Sequence, residues 1–514
     1  MTINKQSYGS LLAEIPEDKG NEIFKDKDGN GYATFESLNG THRETHPIRS
    51  KAYRGYLQTS FYNQYECVAG NQAMQDAIEQ IDGKAQIGEL IYEVFVRMAK
   101  ADGNIYVDLC NEYYKAVEIT QHGWEIIDSY RIPVKFVRKK GMLSLPIPLK
   151  DSQLTTADAL SKLWEFINVE NESDKRLVIG FLLACFRYGQ PFPILILSGE
   201  QGSGKSATSK VIRSLVDPNT ASLRSTPRKV HDLFISANNS WLLCHDNLSG
   251  LPIWLSDALC RISTGGGFAS RQLYKDEEEN IIDVKRPMIL NGIDDIIGRG
   301  DLQDRAIVIN LPSIKRSKRT PEVEFWKNFE KEKPYIIGAL LTVLAGALKE
   351  YPTTKLKEYS RMADFEKWVT SAEPSLGWST GTFSHAYRNN RNNAIEAGMA
   401  NDPVAQAVIK LVAKEGGCTA TSTELLEKLG EYVSDTVRRS NAFPKSPEKL
   451  SNSLKRLKPN LRAITISLDR PSRGSSGERQ WSMEKMPELS ITDSTDSSDG
   501  QMQKDSYVQQ QIIN

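Results

Sequence analysis

The spacing of apolar residues changes several times along this chain, and each change predicts a different element. Four apolar runs read as buried strands: Pro193-Ile-Leu-Ile-Leu197, Ser240-Trp-Leu-Leu-Cys-His-Asp246, Pro287-Met-Ile-Leu290 and Ala306 to Leu311. Ala207 to Leu215 reads as a helix directly after the first of them. Upstream, Ile105/Val107/Leu109 and Val134/Phe136 alternate as half-buried strands, Gly88 to Met98 reads as helical, and Asp102-Gly103 and His122-Gly123 mark turns. Residues 320–400 read as helices whose apolar faces carry Trp326, Phe329, Leu340, Leu341 and Leu344. From 402 to 484 the expected order is three helices and a hairpin. Thr421-Ser-Thr-Glu424 forms a capping box, Ser446-Pro447 starts a helix through Leu457, and Ile464–Leu468 and Arg479–Met483 flank a Gly/Ser/Arg loop.

These patterns divide the chain into a loosely ordered lead-in (1–55), an α+β domain (56–150), an α/β core (151–315), a helical segment (316–401), a C-terminal domain (402–484) and a disordered polar tail (485–514). Composition changes this picture little. The formal net charge is zero, so nucleic-acid affinity has to come from local patches. Six cysteines without a C-x-x-C pair suit neither a disulfide framework nor a zinc site, and point to a cytoplasmic protein. Tyr335–Leu348, the most apolar stretch, is too short to span a bilayer, and the polar N-terminus lacks a signal-peptide pattern.

The chemistry begins where the first buried strand ends. Gly199, Glu200, Gln201, Gly202, Ser203, Gly204, Lys205 and Ser206 fit G-x-x-x-x-G-K-[ST], and Ala207 opens the following helix. In a strand–loop–helix setting, backbone N–H groups and the helix N-terminus point at phosphate. Lys205 is then expected to reach the β- and γ-phosphates of ATP, and Ser206 to ligate Mg²⁺. An ordinary glycine-rich turn with a surface lysine is the plain alternative. Hydrolysis also needs an acid, and Asp246, followed by Asn247, offers one about 40 residues on. Asn291 can contact the attacking water or the γ-phosphate, or simply cap a turn. Arg305 is the leading candidate for an arginine finger from a neighbouring subunit, ahead of Arg261 and Arg299.

Between the second and third strands, Phe268–Tyr274 and Asn280–Val284 can pair as a hairpin around Lys275-Asp-Glu-Glu-Glu279. Arg271, Tyr274 and Lys275 there could meet single-stranded nucleic acid by charge and stacking, although the acids at the tip oppose it. A second basic region runs from Arg438 to Arg479, with eleven Lys/Arg against three acids. On its helix, Lys449, Lys455 and Arg456 lie away from Leu450, Leu454 and Leu457, and the next loop carries Arg470 and Arg473. This order suits a winged helix–turn–helix gripping duplex DNA; a winged helix used for protein contact is the alternative.

The Gly199–Ser206 loop, Asp246-Asn247, Asn291 and Gly298-Arg-Gly-Asp-Leu-Gln-Asp-Arg-Ala306 together resemble superfamily 3-like helicase ATPases. More narrowly they resemble the primase-associated DNA helicases of phages, plasmids and integrated elements. Asn238–Trp241, Trp254–Arg261, Ser263–Phe268 and the entry stretch from Ile105 to Pro148 add to the likeness, which is strongest over 90–315. The resemblance implies an AAA+-like P-loop core, a hexameric ring with ATP between subunits, and DNA threaded past a hairpin carrying Lys275. Asp246-Asn247 departs from the paired acids of many such helicases, which leaves open the group that orients water and implies slow turnover. No primase motif is visible, so priming falls to a separate primase or initiator. The expected function is that of an ATP-dependent DNA helicase or translocase of a mobile element. A DNA-binding NTP switch or defence ATPase shares every motif, and a small-substrate P-loop kinase is the more distant rival.

Overall fold

The protein is described by a computed structural model covering residues 7–150, 155–248, 250–271, 279–292, 300–469 and 479–486. It divides into two compact units, Met1–Asp402 and Pro403–Asn514.

The first unit begins with α1 (Tyr8–Asp18), the antiparallel strands β1 (Glu22–Lys25), β2 (Gly31–Glu36) and β3 (Arg43–Pro47), then α2 (Lys51–Tyr65) and α3 (Asn71–Ile87). Residues 7–55 are therefore folded, and not the loosely ordered lead-in expected over 1–55 from its polarity. Leu12, Ile15, Ala33, Phe35 and Ile48 pack with Tyr53, Leu57 and Phe61 in one buried cluster. The aromatic side chains of α2 bury enough area to hold short strands whose own sequences are mostly polar.

Next come β4 (Val94–Phe95), the meander β5 (Met98–Ala101), β6 (Asn104–Asp108), β7 (Ala116–Thr120) and β8 (Gly123–Ile127), and β9 (Lys135–Phe136), parallel to β4. The helix expected over 88–98 is not formed. Gly88 closes α3, and the β-branched and aromatic residues from Ile91 to Val96 favour extended backbone. Asp102 and Gly103 take positive φ, 49° and 82°, as a tight β5–β6 turn needs.

Then follow α4 (Thr156–Ser161), α5 (Glu172–Cys185), β10 (Ile194–Ser198), α6 (Lys205–Val216), α7 (Val230–Asn239), β11 (Leu243–Leu248), α8 (Ile253–Thr264), β12 (Phe268–Arg271), β13 (Glu279–Ile282), β14 (Met288–Gly292), α9 (Gly300–Gln303) and β15 (Ala306–Asn310). Strands β11-β14-β10-β15 form a parallel sheet in that order. Both faces of such a sheet are covered, which is why these strands read as unbroken apolar runs. The helices α10 (Glu322–Glu350), α11 (Ala363–Leu376) and α12 (Thr382–Ala400) complete the unit. Packing does not break at 150 or 316, where domain limits were expected: one buried cluster joins Met98 and Val107 to Leu195, Leu340 and Tyr387.

The second unit holds α13 (Pro403–Glu415), β16 (Gly417–Thr421), α14 (Ser422–Gly430), α15 (Asp435–Arg439), α16 (Pro447–Ala463), β17 (Ile466–Asp469) and β18 (Gln480–Lys485). Its sheet is antiparallel, ordered β16-β18-β17. Thr421 and Glu424 form the capping box at α14, and Ser446 caps α16 by accepting from Lys449 N. Strand β16 and the short α15 have no counterpart in the sequence expectation, because five-residue elements carry too few apolar positions to show a period.

Candidate functional site

The site is built at the carboxyl ends of the parallel strands, where open α/β sheets bind ligands. After Ser198 the chain loops through Gly199–Gly204 and enters α6 at Lys205. Glycine is required at two points by geometry. Gly204 precedes the helix at φ 87°, and a Cβ on Gly199 would lie 2.4 Å from the Leu311 carbonyl oxygen. In such a setting free loop N–H groups and the first turn of a helix offer donors to an anion, and the helix dipole adds positive potential. The Lys205 ammonium donates to the carbonyls of Gly199 (2.5 Å) and Glu200 (2.9 Å), so it is held across the mouth of the loop.

Three neighbouring elements converge beside it. Ser206 Oγ donates to Asp246 Oδ2 at 2.8 Å. Asn291 Nδ2, from β14, donates to Asp246 Oδ1 at 3.0 Å. Ser209 Oγ donates to Asn291 Oδ1 at 2.7 Å, which fixes the amide so that its NH₂ faces the carboxylate. Asn291 is fully buried, whereas Asp246 is partly exposed. Strand β11 does not end at Asp246 as expected. It continues to Leu248 through a register shift between His245 and Leu248, and Asn247 takes φ 58° within it. Such a bulge re-aims side chains, and here it lets the Asn247 N–H donate to Asp246 Oδ1 at 2.9 Å. His245, just before it, is buried; burial pushes its pKa down to about 4 despite the hydrogen bond from Nδ1 to the Ser225 carbonyl. The ring is therefore neutral at physiological pH, and the charge beside Ser206 is that of Asp246 alone among these strand residues.

The oxygens of Ser206 and Asp246 suit a hard cation. Among the described residues no group of three or more His, Cys, Asp or Glu is placed to hold a metal ion. A lone carboxylate with a hydroxyl is the donor set of a Mg²⁺ that takes its remaining ligands from water and substrate phosphates.

Arg305 lies elsewhere. Ala306 pairs with Ile194 at the start of β10, so Arg305 sits at the amino end of the sheet, roughly 15 Å of strand away from the loop. Its Nη1 donates to the Asp301 carbonyl at 2.7 Å. Arg261, in the last turn of α8, places its guanidinium over Phe234 at 5.7 Å. The hairpin between β11 and β14 is formed, with Phe268 paired to Ile282 and Arg271 to Glu279. Tyr274, Lys275, Arg299, Arg470 and Arg473 lie outside the described residues, as does the side chain of Arg271. In the second unit, Lys449, Lys455 and Arg456 are exposed on α16, opposite the buried Leu450, Leu454, Leu457 and Leu461.

Two residues of this arrangement escaped the sequence analysis. Ser209 stands one turn beyond Ser206 on α6, and that helical spacing could have drawn attention to it. Asn168 reaches in from outside the sheet and donates to the carbonyls of Ser203 (3.0 Å) and Pro312 (2.6 Å); no local pattern marks it.

Residues 157–393 match the family described as the actinomycete integrative conjugative element replication protein, and residues 404–498 match the C-terminal domain of that replication protein. No curated protein matches the chain. Among solved structures, the apo C-terminal region of NrS-1 is similar at 10% identity and a TM-score of 0.39, covering 92% of this chain and 98% of that one. A JCV helicase bound to a small molecule is similar at 15% identity and a TM-score of 0.25, covering 45% of this chain and 64% of that one. Parts of both units are thus similar to the replication protein of actinomycete integrative conjugative elements.

Proposed function

We propose that this protein is an ATP-dependent DNA helicase or translocase that works as a ring, hexameric by preference, during replication of its mobile element. The observation that carries the reading is the bonded set Ser206–Asp246–Asn291 on α6, β11 and β14, standing beside a glycine loop that presents Lys205. Loop residues Gly199–Ala207 bind the phosphates, and Lys205 moves from the loop carbonyls onto the β- and γ-phosphates. Ser206 and Asp246 hold Mg²⁺, which when bound neutralises charge between those phosphates. Asn291, clamped by Ser209, reports the γ-phosphate and hydrogen-bonds the attacking water, assisted by Asn247. With no second acid at 247, proton acceptance is weak and turnover slow.

Arg305 stands too far from the loop of its own sheet to reach it, so its role on a γ-phosphate is in trans, on a neighbouring subunit of the ring. The P-loop core, the α+β region before it and a winged-helix C-terminal unit divide the work. Arg271, Tyr274 and Lys275 meet single-stranded DNA, and Lys449, Lys455, Arg456, Arg470 and Arg473 meet duplex. A separate primase or initiator supplies primers. Among the described residues no helix is long and apolar enough to cross a membrane. A non-unwinding DNA-dependent switch is the second reading, favoured by the amide at 247.

The full chain is expected to hydrolyse ATP faster with single-stranded DNA present. Reversing Lys449, Lys455 and Arg456 to Glu should abolish salt-sensitive duplex binding, since each phosphate contact releases about one counterion. Unchanged duplex affinity and salt slope in that variant would assign the C-terminal unit to protein contact instead.

A further inference from the structure

We propose that Arg319 is a second phosphate-binding cation of the nucleotide site, delivered by the same subunit as the loop. The proposal rests on the nucleotide reading above and deepens it.

The chain leaving β15 runs along the loop. Leu311 N donates to Ser198 O (2.9 Å) and Ile314 N to Gly202 O (3.3 Å). Ser313 Oγ donates to Glu200 Oε2 at 2.9 Å, and Asn168 ties Pro312 to Ser203. A Cβ on Gly204 would touch Ile314 Cδ1 at 3.2 Å. Residues 311–319 therefore form a strap that follows the loop almost along its whole length. The strap ends in Lys315-Arg-Ser-Lys-Arg319, four cations in five residues. A 3₁₀ turn over Arg316–Lys318 brings Arg319 back to the loop, with Nη2 3.4 Å from where a Cβ on Gly202 would stand.

Arg319 is exposed and forms no ion pair among the described residues. Glu200, the acid within the loop, accepts from Ser313. Arg319, Lys205 and the amino end of α6 thus bring three centres of positive potential to one short loop. Like-signed centres repel, and an anion between them turns that repulsion into attraction. A guanidinium grips phosphate oxygens through two parallel N–H groups, a geometry that lysine lacks. The anion this arrangement fits is the polyphosphate of a nucleoside di- or triphosphate.

The test is equilibrium binding of fluorescent N-methylanthraniloyl-ADP to the full chain, which requires no turnover. Arg319→Ala is expected to weaken binding about tenfold, as loss of one charge-assisted hydrogen bond would. Arg319→Lys is expected to recover part of that loss, and melting temperatures to stay level. Lys205-dependent binding that Arg319→Ala leaves unchanged would overturn the proposal and spare the nucleotide reading. Absence of Lys205-dependent binding in the parent would overturn both. Loss of single-stranded DNA affinity with ADP affinity intact would make the strap a DNA contact and overturn the proposal.

Discussion

Asp246→Asn is expected to bind ATP nearly as well as the parent and to lose Mg²⁺-dependent turnover by about 10³-fold. The carboxylate is the one anionic group of the bonded set, with Ser206 on one oxygen and Asn291 and the Asn247 N–H on the other. An amide keeps the shape but gives up the charge that holds hydrated Mg²⁺ in place. Metal stabilisation of transition-state charge is worth several kcal/mol, and about 1.4 kcal/mol is one decade in rate. The check is single-turnover hydrolysis at saturating ATP, alongside nucleotide affinity and a melting curve. Parental hydrolysis in a folded variant would mean that another acid holds the metal.

Arg305→Ala should also cost roughly 10³-fold in turnover while sparing nucleotide affinity, because a finger acts on transition-state charge. The sheet register makes this prediction sharp. Arg305 stands where β15 begins and the loop where β10 ends, so the two functions cannot meet within one subunit. Inactive Arg305→Ala and inactive Lys205→Ala subunits should therefore regain part of the activity when mixed, since some interfaces then pair an intact loop with an intact finger. Mixed assemblies that stay inactive would restrict Arg305 to bracing its own subunit through Asp301.

The parts of the site legible in the sequence are those with short-range patterns. Ile194–Leu197 is apolar on both faces because the parallel sheet is covered on both sides, and the loop after it follows a fixed spacing. Asp246 and Asn291 could each be placed on a strand for the same reason. The bulge at Asp246-Asn247 was not legible, since it depends on how β11 is matched to β14 and not on local composition. Asn168, Ser209 and the strap were missed because their contacts cross long stretches of chain. Residues 7–55 misled for another reason. Their core relies on tyrosines and alanines of α2 and α3, such as Tyr53, Tyr56 and Ala77, which a polarity scan undercounts.

Strand displacement tests the central claim most directly. The full chain, given a forked DNA duplex, Mg²⁺ and ATP, should separate the strands, and should fail with a non-hydrolysable ATP analogue or with Lys205→Ala. DNA-stimulated ATP hydrolysis without strand separation, on blunt, 5′-tailed and 3′-tailed duplexes alike, would contradict the helicase account and leave the DNA-dependent switch.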